Sequence, residues 1–442
     1  MKICLTVLGV LWGSTLCIPS AQAQGTLIPT GLFTRGAGEI GTRSGKAVGL
    51  RLYAGVSAVY DNGLQPVSVD PSGKLISVDD LYGVEVALGV YGQRQYKRGT
   101  LGLDYRGAFR HYNTNTYYDG SDQQFALGYT YQKSQRVVWD FRQVAGSSAS
   151  GASFVGGLPP AFNSVVDPTA MLFDNRSLFL QSGADMTYIK SPRTSFTAGG
   201  NWSMVDRQSE ALIGVKTYGL HGTIQRRQSR TTMFGGTYNY THYDFPRGYG
   251  ESDIHTFQGF FHHSYGRWDF SVSAGAYYSQ VLGLQTVPLD PVIAQLFGVS
   301  TIVQQVYRTN LLPNAEVTAI RSFKNAWVTM DYRRTITTGN GVYLTSREEY
   351  AGASVAYTGI RKWSFNALAN FAHLDALGQG LPPYSQYSAG TGFTYSLTRA
   401  LHASAHYDAR HYDIQDRSFR RTASRITIGL VFSPGDIPLS FH

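Results

Sequence analysis

Few residue types in this chain are spaced for chemistry. His402, His406 and Asp408 lie at even spacing, so an extended chain places all three on one face, where two imidazoles and a carboxylate could meet a metal ion. A strand with one hydrated face produces the same spacing, and that simpler account also covers the polar residues between them. His262-His263 is the one adjacent histidine pair, and successive strand residues point to opposite faces, so the two cannot share an ion. Gly36-Ala37-Gly38-Glu39-Ile40-Gly41 has the letters of a dinucleotide-binding turn, but no strand–turn–helix pattern surrounds it. His-Glu-x-x-His, Gly-x-Ser-x-Gly and phosphate-loop sequences are absent. The expectation is a chain with no catalytic residue, no metal site and no cofactor.

The elements that carry these residues follow a period of two. In the segment 100–112, Leu101, Leu103, Tyr105 and Phe109 fall on one face, and Asp104, Arg106 and Arg110 on the other. Val137, Trp139 and Phe141 oppose Asp140 and Arg142, and Ile426, Ile428 and Leu430 oppose Arg425 and Thr427. Many runs reach about 10–13 residues, enough to cross a bilayer on a tilt and longer than the usual soluble strand. About 18 such segments fit between 48–60 and 422–432, an all-β transmembrane antiparallel barrel. The segment 211–223 is the weakest of them, because Lys216 shares its parity with Leu212 and Leu220; losing one hairpin would leave about 16.

The N-terminus reads as an export signal. Lys2 precedes an apolar stretch over 3–12, and Ala21-Gln22-Ala23 offers a small-x-small cleavage site, so residues 1–23 would be removed. Leu16 stands where a lipoprotein signal before Cys17 needs a small residue. Cys4 and Cys17 are the only cysteines, so the mature chain would hold no disulfide and no cysteine-based site. Beyond the signal the chain has no apolar run of about 18 residues that could cross as a helix. Residues 24–47 would form a periplasmic or interior segment, 48–432 the barrel, and 433–442 a periplasmic extension.

The formal charge of +9 invites a nucleic-acid reading, but the placement of charge argues against it. Short connections carry bases, as at Lys97-Arg98, Arg226-Arg227 and Arg361-Lys362, whereas longer ones carry acids, as at Asp79-Asp80, Asp119, Glu251 and Asp416. That asymmetry predicts basic turns at the periplasmic rim beside anionic lipid, and carboxylates at the outer rim, where divalent cations could bridge them to lipopolysaccharide. On the interior parity lie Arg51, Arg106, Arg110, Arg142, Arg333, Arg410 and Arg425, against Glu85, Asp104, Asp140, Asp185, Asp269, Glu316, Asp331 and Asp408. These nearly cancel, which predicts ion pairs along the wall and weak ion selectivity.

Three connections stand out by length, at 61–81, 145–176 and 280–310. The second is apolar for an exposed loop, with Phe154, Leu158, Phe162 and Phe173, and is expected to fold inward. The third contains Pro291 through Phe297, which reads as a short apolar helical turn.

The signal, the hairpin pattern and the long third external loop resemble Gram-negative porins across the whole mature chain. The resemblance implies the bacterial outer membrane, a constriction formed by that loop, a passive channel for small hydrophilic solutes, and partners in outer-membrane lipid, lipopolysaccharide and the assembly machinery. The ending departs from the pattern, since Phe432 closes the last segment and Phe441 is penultimate rather than terminal. Two other functions fit the same architecture: an export conduit for an envelope polysaccharide, with Tyr53 and Tyr277 on the interior parity, and a closed structural or adhesive barrel. A plugged receptor of ~22 strands would not fit this length. Oligomeric state is left open.

Overall fold

The computed structural model describes residues 51–62, 80–113, 119–148, 176–248, 250–288, 301–339, 341–378, 381–414 and 419–433. Eighteen strands follow one another along the chain: β1 (Arg51–Asp61), β2 (Leu81–Tyr96), β3 (Gly99–Tyr112), β4 (Gly120–Gln132), β5 (Val137–Ser148), β6 (Ser177–Ser191), β7 (Thr194–Arg207), β8 (Val215–Arg227) and β9 (Thr232–Phe245) form the first half. The second half comprises β10 (Gly250–Tyr265), β11 (Trp268–Pro288), β12 (Thr301–Ser322), β13 (Ala326–Thr337), β14 (Ser346–Tyr357), β15 (Trp363–Ala376), β16 (Tyr384–Ser396), β17 (Leu401–Ile414) and β18 (Phe419–Phe432). Each strand pairs antiparallel with the next, and β18 returns to β1 with Ala54 opposite Phe432 and Asp61 opposite Arg425. The sheet therefore closes on itself as a barrel.

The period-two alternation sets which side of the wall each residue faces. In β1, Tyr53, Ser57, Val59 and Asp61 are buried while Leu52, Val56 and their parity mates are exposed. The exposed large apolar residues, among them Val84, Val86, Leu88, Leu220, Val272, Ile428 and Leu430, face outward. Buried Glu85, Asp104, Arg106, Arg110, Asp408 and Arg425 face inward. A barrel with charge inside and hydrocarbon-compatible groups outside is the inverse of a soluble protein, and water is not the solvent of its outer surface. Among the described residues no helix is long and apolar enough to span a bilayer; the strands make the crossing.

Aromatic rings band the outer face at two heights. Near the short turns, Trp139 stacks on Phe141, Trp268 on Phe270 and Trp363 on Phe365. Toward the other rim, Tyr240 meets His255, and Phe371 meets Tyr387. From Trp268 to Tyr278 the chain rises ~33 Å along the strand at ~3.3 Å per residue, or about 25 Å after a ~40° tilt. That height matches the apolar band of an outer-membrane barrel. The eight connections at one end are all short; each carries Lys or Arg, and none carries an acid. In the two-residue turn between β10 and β11 Gly266 adopts a φ of 59°, a left-handed conformation that glycine tolerates.

Two elements differ from the sequence reading. β8 begins at Val215 rather than 211, because adjacent Leu212 and Ile213 cannot both face one side of a strand; Leu212 turns inward and is fully buried. The region 280–310 is not all loop: β11 and β12 continue pairing to Pro288 opposite Thr301. β12 pairs with β13 only from Ala315 onward, so the far part of this hairpin extends past β13 as a ribbon. The expected helical turn at 291–297 and the inward loop bearing Phe154, Leu158, Phe162 and Phe173 lie outside the described residues.

Two outcomes test this architecture. The folded protein will migrate as a compact band in unboiled detergent gels and more slowly after boiling; equal mobility would contradict a closed barrel. Because no cysteine follows Cys17, single-cysteine labelling of intact cells can report orientation. Glu210→Cys, at the end opposite the short turns, will label with an impermeant maleimide, and Lys362→Cys will not.

Candidate functional site

The interior divides into two walls with different electrostatics. On the wall from β18 through β4, guanidinium and carboxylate groups alternate across strands. Arg425 reaches Glu85 at 3.0 Å and Asp61 at 3.9 Å, and Arg110 donates toward the same Glu85 at 3.1 Å while also contacting Asp122. The registers dictate this, since Asp61 lies directly opposite Arg425 and Glu85 opposite Arg110. All five side chains are almost wholly buried. Asp408 also lies opposite Arg425 in register and is buried; Arg410, two residues on, shares its parity and lies opposite Ala423 and Ser388. Lower on β3, Arg106 clamps Asp104 through two hydrogen bonds of 2.8 and 2.7 Å.

Other predicted residues join smaller groups. Arg142 pairs with Asp185, which His221 also contacts at 3.1 Å, and Asp140 accepts a 2.6 Å hydrogen bond from Thr130. A β-carbon at Gly199 would overlap the Asp185 carboxylate, so glycine is needed there for close approach. Asp269 meets His262 at 3.2 Å and remains half exposed. Arg51 opens β1 opposite Tyr91. His402 and His406 face the same interior as Asp408, but no cluster of three or more potential metal ligands occurs among the described residues.

On the second wall, β12 to β14, Arg333 donates to Glu348 at 2.9 Å and its guanidinium sits 4.9 Å over the Tyr350 ring. Glu316 lies opposite Arg333, and Asp331 opposite Thr318 and Gly352. Sequence reasoning missed three of the interior acids, Asp61, Asp122 and Glu348. Asp61 ends β1, and Asp122 and Glu348 are the third residues of β4 and β14, so all three lie close to strand ends, where sequence alternation is read least well.

An apolar cluster at the end opposite the short turns was not foreseen at all. Phe179, Val205, Val215, Tyr243, Phe245 and Ile254 turn inward from β6 to β10 and meet Tyr277, Ile336 and Leu344. The connections 208–214 and 338–345 dock onto them. The Ile213 amide donates to the Gly341 carbonyl at 3.0 Å, Ser252 and Thr345 share a 2.5 Å hydroxyl contact, and Leu377 donates to the Thr345 carbonyl at 2.9 Å. Gly339 and Gly341 take φ values of 61° and 95°, which lets this connection bend inward. The signal available in the sequence was two apolar triplets, 211–213 and 342–344, within connections otherwise too short to bury them locally.

At the outer end of β3, the connection to β4 is stapled by Asp119. Desolvation pushes its carboxyl up, but the Tyr112 amide at 2.8 Å and the His111 ring at 2.7 Å outweigh that and hold it below the usual carboxylate range.

These features define a porin-sized β-barrel of the bacterial outer membrane, with an apolar belt outside and paired charges within. No protein-family model matches the chain, and no curated protein matches it. Among solved structures it is similar to the outer membrane protein OpdK of Pseudomonas aeruginosa, at 10% identity and TM-score 0.40, over 87% of this chain and 99% of that one. It is similar to OccAB1 of Acinetobacter baumannii at 9% identity and TM-score 0.42, over 88% and 98%. OccK2 of Pseudomonas aeruginosa in complex with glucuronate matches at 10% identity and TM-score 0.41, over 87% and 97%. The likeness is distant, and the barrel assignment stands on the closed ladders and the inverted polarity described above.

Two measurements test the site. Arg425→Leu leaves Glu85 and Asp61 buried without their shared partner, and will cost about 3–5 kcal/mol of stability in urea unfolding from lipid vesicles. For Asp119 the depressed carboxyl means its contribution is complete at neutral pH and fades as pH falls below about 4. Proteolysis of the β3–β4 connection will therefore accelerate at acidic pH in the native protein and be fast at both pH values in Asp119→Ala.

Proposed function

We propose that the protein is a passive outer-membrane channel for small hydrophilic solutes. One observation carries this reading: a ring of 18 strands whose inner face is lined by charged and hydroxyl side chains. Barrels of 16–18 strands enclose more space than wall side chains alone fill, and a polar inner surface suits water and polar solutes. The wall's ion pairs keep most charges matched, so transit does not require breaking a one-signed ladder. Residues 1–23 act as the export signal in this reading, the basic turns face the periplasm, and the acidic rim meets lipopolysaccharide.

The narrowing element is the docked pair of connections 208–214 and 338–345. Reconstitution of refolded protein into planar bilayers will give stepwise conductance, and a protein that inserts without conducting would refute the channel. Gly341→Val places a side chain against Arg207 at a φ of 95° that valine does not adopt, so it will undock 338–345 and raise single-channel conductance. An unchanged or lower conductance would remove these connections from the solute path.

A further inference from the structure

The two interior walls are not equivalent. From β18 to β4 each of Asp61, Glu85, Asp104 and Asp122 has a guanidinium within 4.0 Å, from Arg425, Arg110 or Arg106, whereas β12 to β14 sets three carboxylates, Glu316, Asp331 and Glu348, around one guanidinium, Arg333. Arg333 is committed to Glu348 through its 2.9 Å hydrogen bond and to the Tyr350 ring. Glu316 and Asp331 have no hydrogen bond or ion pair within 4.0 Å among the described residues. Asp331 sits at the middle of β13 and Glu316 lies opposite Arg333 two residues further up, inside the depth of the bilayer, where an unmatched carboxylate calls for a counter-charge.

A second observation points the same way. Asn314 lies two residues from Glu316 on the same inward face, is 3% exposed, and its amide nitrogen finds no acceptor among the described residues. Ser273, directly opposite Glu316 on β11, also leaves its hydroxyl without a partner. Buried amide donors are normally satisfied, so this patch is built for a group that is not part of the wall. That group must bring positive charge to the carboxylates and an acceptor to Asn314.

We propose that the β12–β13 wall is a binding subsite for small organic cations, an ammonium group meeting Glu316 and Asp331 and a hydroxyl or carbonyl oxygen accepting from Asn314. The subsite deepens the channel reading and rests on it: solute entering the barrel meets a locally negative wall facing an electrically matched one. The conductance is then cation-preferring, against the near-cancellation that interior parity alone predicted.

The test uses the full refolded barrel and ethanolammonium, which carries both groups. In a KCl gradient the native channel will show a cation-preferring reversal potential, and Glu316→Gln with Asp331→Asn will lower the K⁺/Cl⁻ permeability ratio roughly three-fold. Glu349→Gln, on the outward-facing parity and paired with Arg334, will leave the ratio unchanged. In detergent, saturation-transfer NMR will detect ethanolammonium but not acetate on the native barrel, with the signal lost in the double variant and weakened in Asn314→Ala. Heat-modifiable mobility verifies that each variant is folded, and Asp331→Asn alone serves if the double variant is not. Conductance without cation preference, or a ratio unmoved by the double variant, overturns the subsite. Absence of conductance overturns the channel instead, and the binding arm then decides the subsite by itself.

Discussion

Everything in this molecule depends on satisfying backbone hydrogen bonds where no water is available. An unpaired amide or carbonyl in hydrocarbon costs several kcal/mol, so a spanning sheet cannot keep a free edge. The ladder between β18 and β1 is the step that removes the edge. It joins residues near the two ends of the barrel, and Arg425 reinforces it by reaching across β1 to Glu85. Side-chain pairing and backbone closure thus coincide at one seam.

Closure then forces the side chains to choose sides. Because a strand alternates, each element delivers side chains to lipid and to the interior in nearly equal number, whatever the interior needs. The barrel handles the resulting charge by register: opposite signs face each other on neighbouring strands, so Arg110 and Arg425 give each of Asp61, Glu85 and Asp122 a cationic partner without leaving the wall. Glycine works within the same scheme. At Gly199 it makes room for Asp185, and at Gly339 and Gly341 it allows a connection to bend into the mouth instead of away from it.

The inward-folded connections give the interior a gradient of polarity. Apolar contacts among Ile213, Leu344, Phe245 and Ile336 occupy the end opposite the basic turns, and charged groups lie deeper between them and the short-turn rim. Burial of those apolar groups is what makes short connections fold inward, since left outside they would expose isoleucine and leucine to water. The same contact therefore shapes the mouth and stabilises it.

The chain by itself determined the strand count, the parity of most wall residues and the basic character of the short turns. These are local properties: alternation, turn residues and aromatic placement can be read within ten or so positions. Arg110, Arg142, Arg333 and Arg425 could each be placed on the inner face for that reason. Of their partners Glu85 and Asp185 could be placed on that face and Asp61, Asp122 and Glu348 could not, and which carboxylate each arginine would meet could not be read, because a pair such as Arg425 and Glu85 depends on the register of three strands and on ring closure between distant ends. The apolar mouth was hidden for a related reason. Whether Leu212 and Ile213 continue a strand or leave it is decided by the cluster waiting inside the barrel, and that cluster exists only once β6 to β14 are side by side. The imbalance on the β12–β14 wall is likewise a sum over three strands, invisible until neighbours are known.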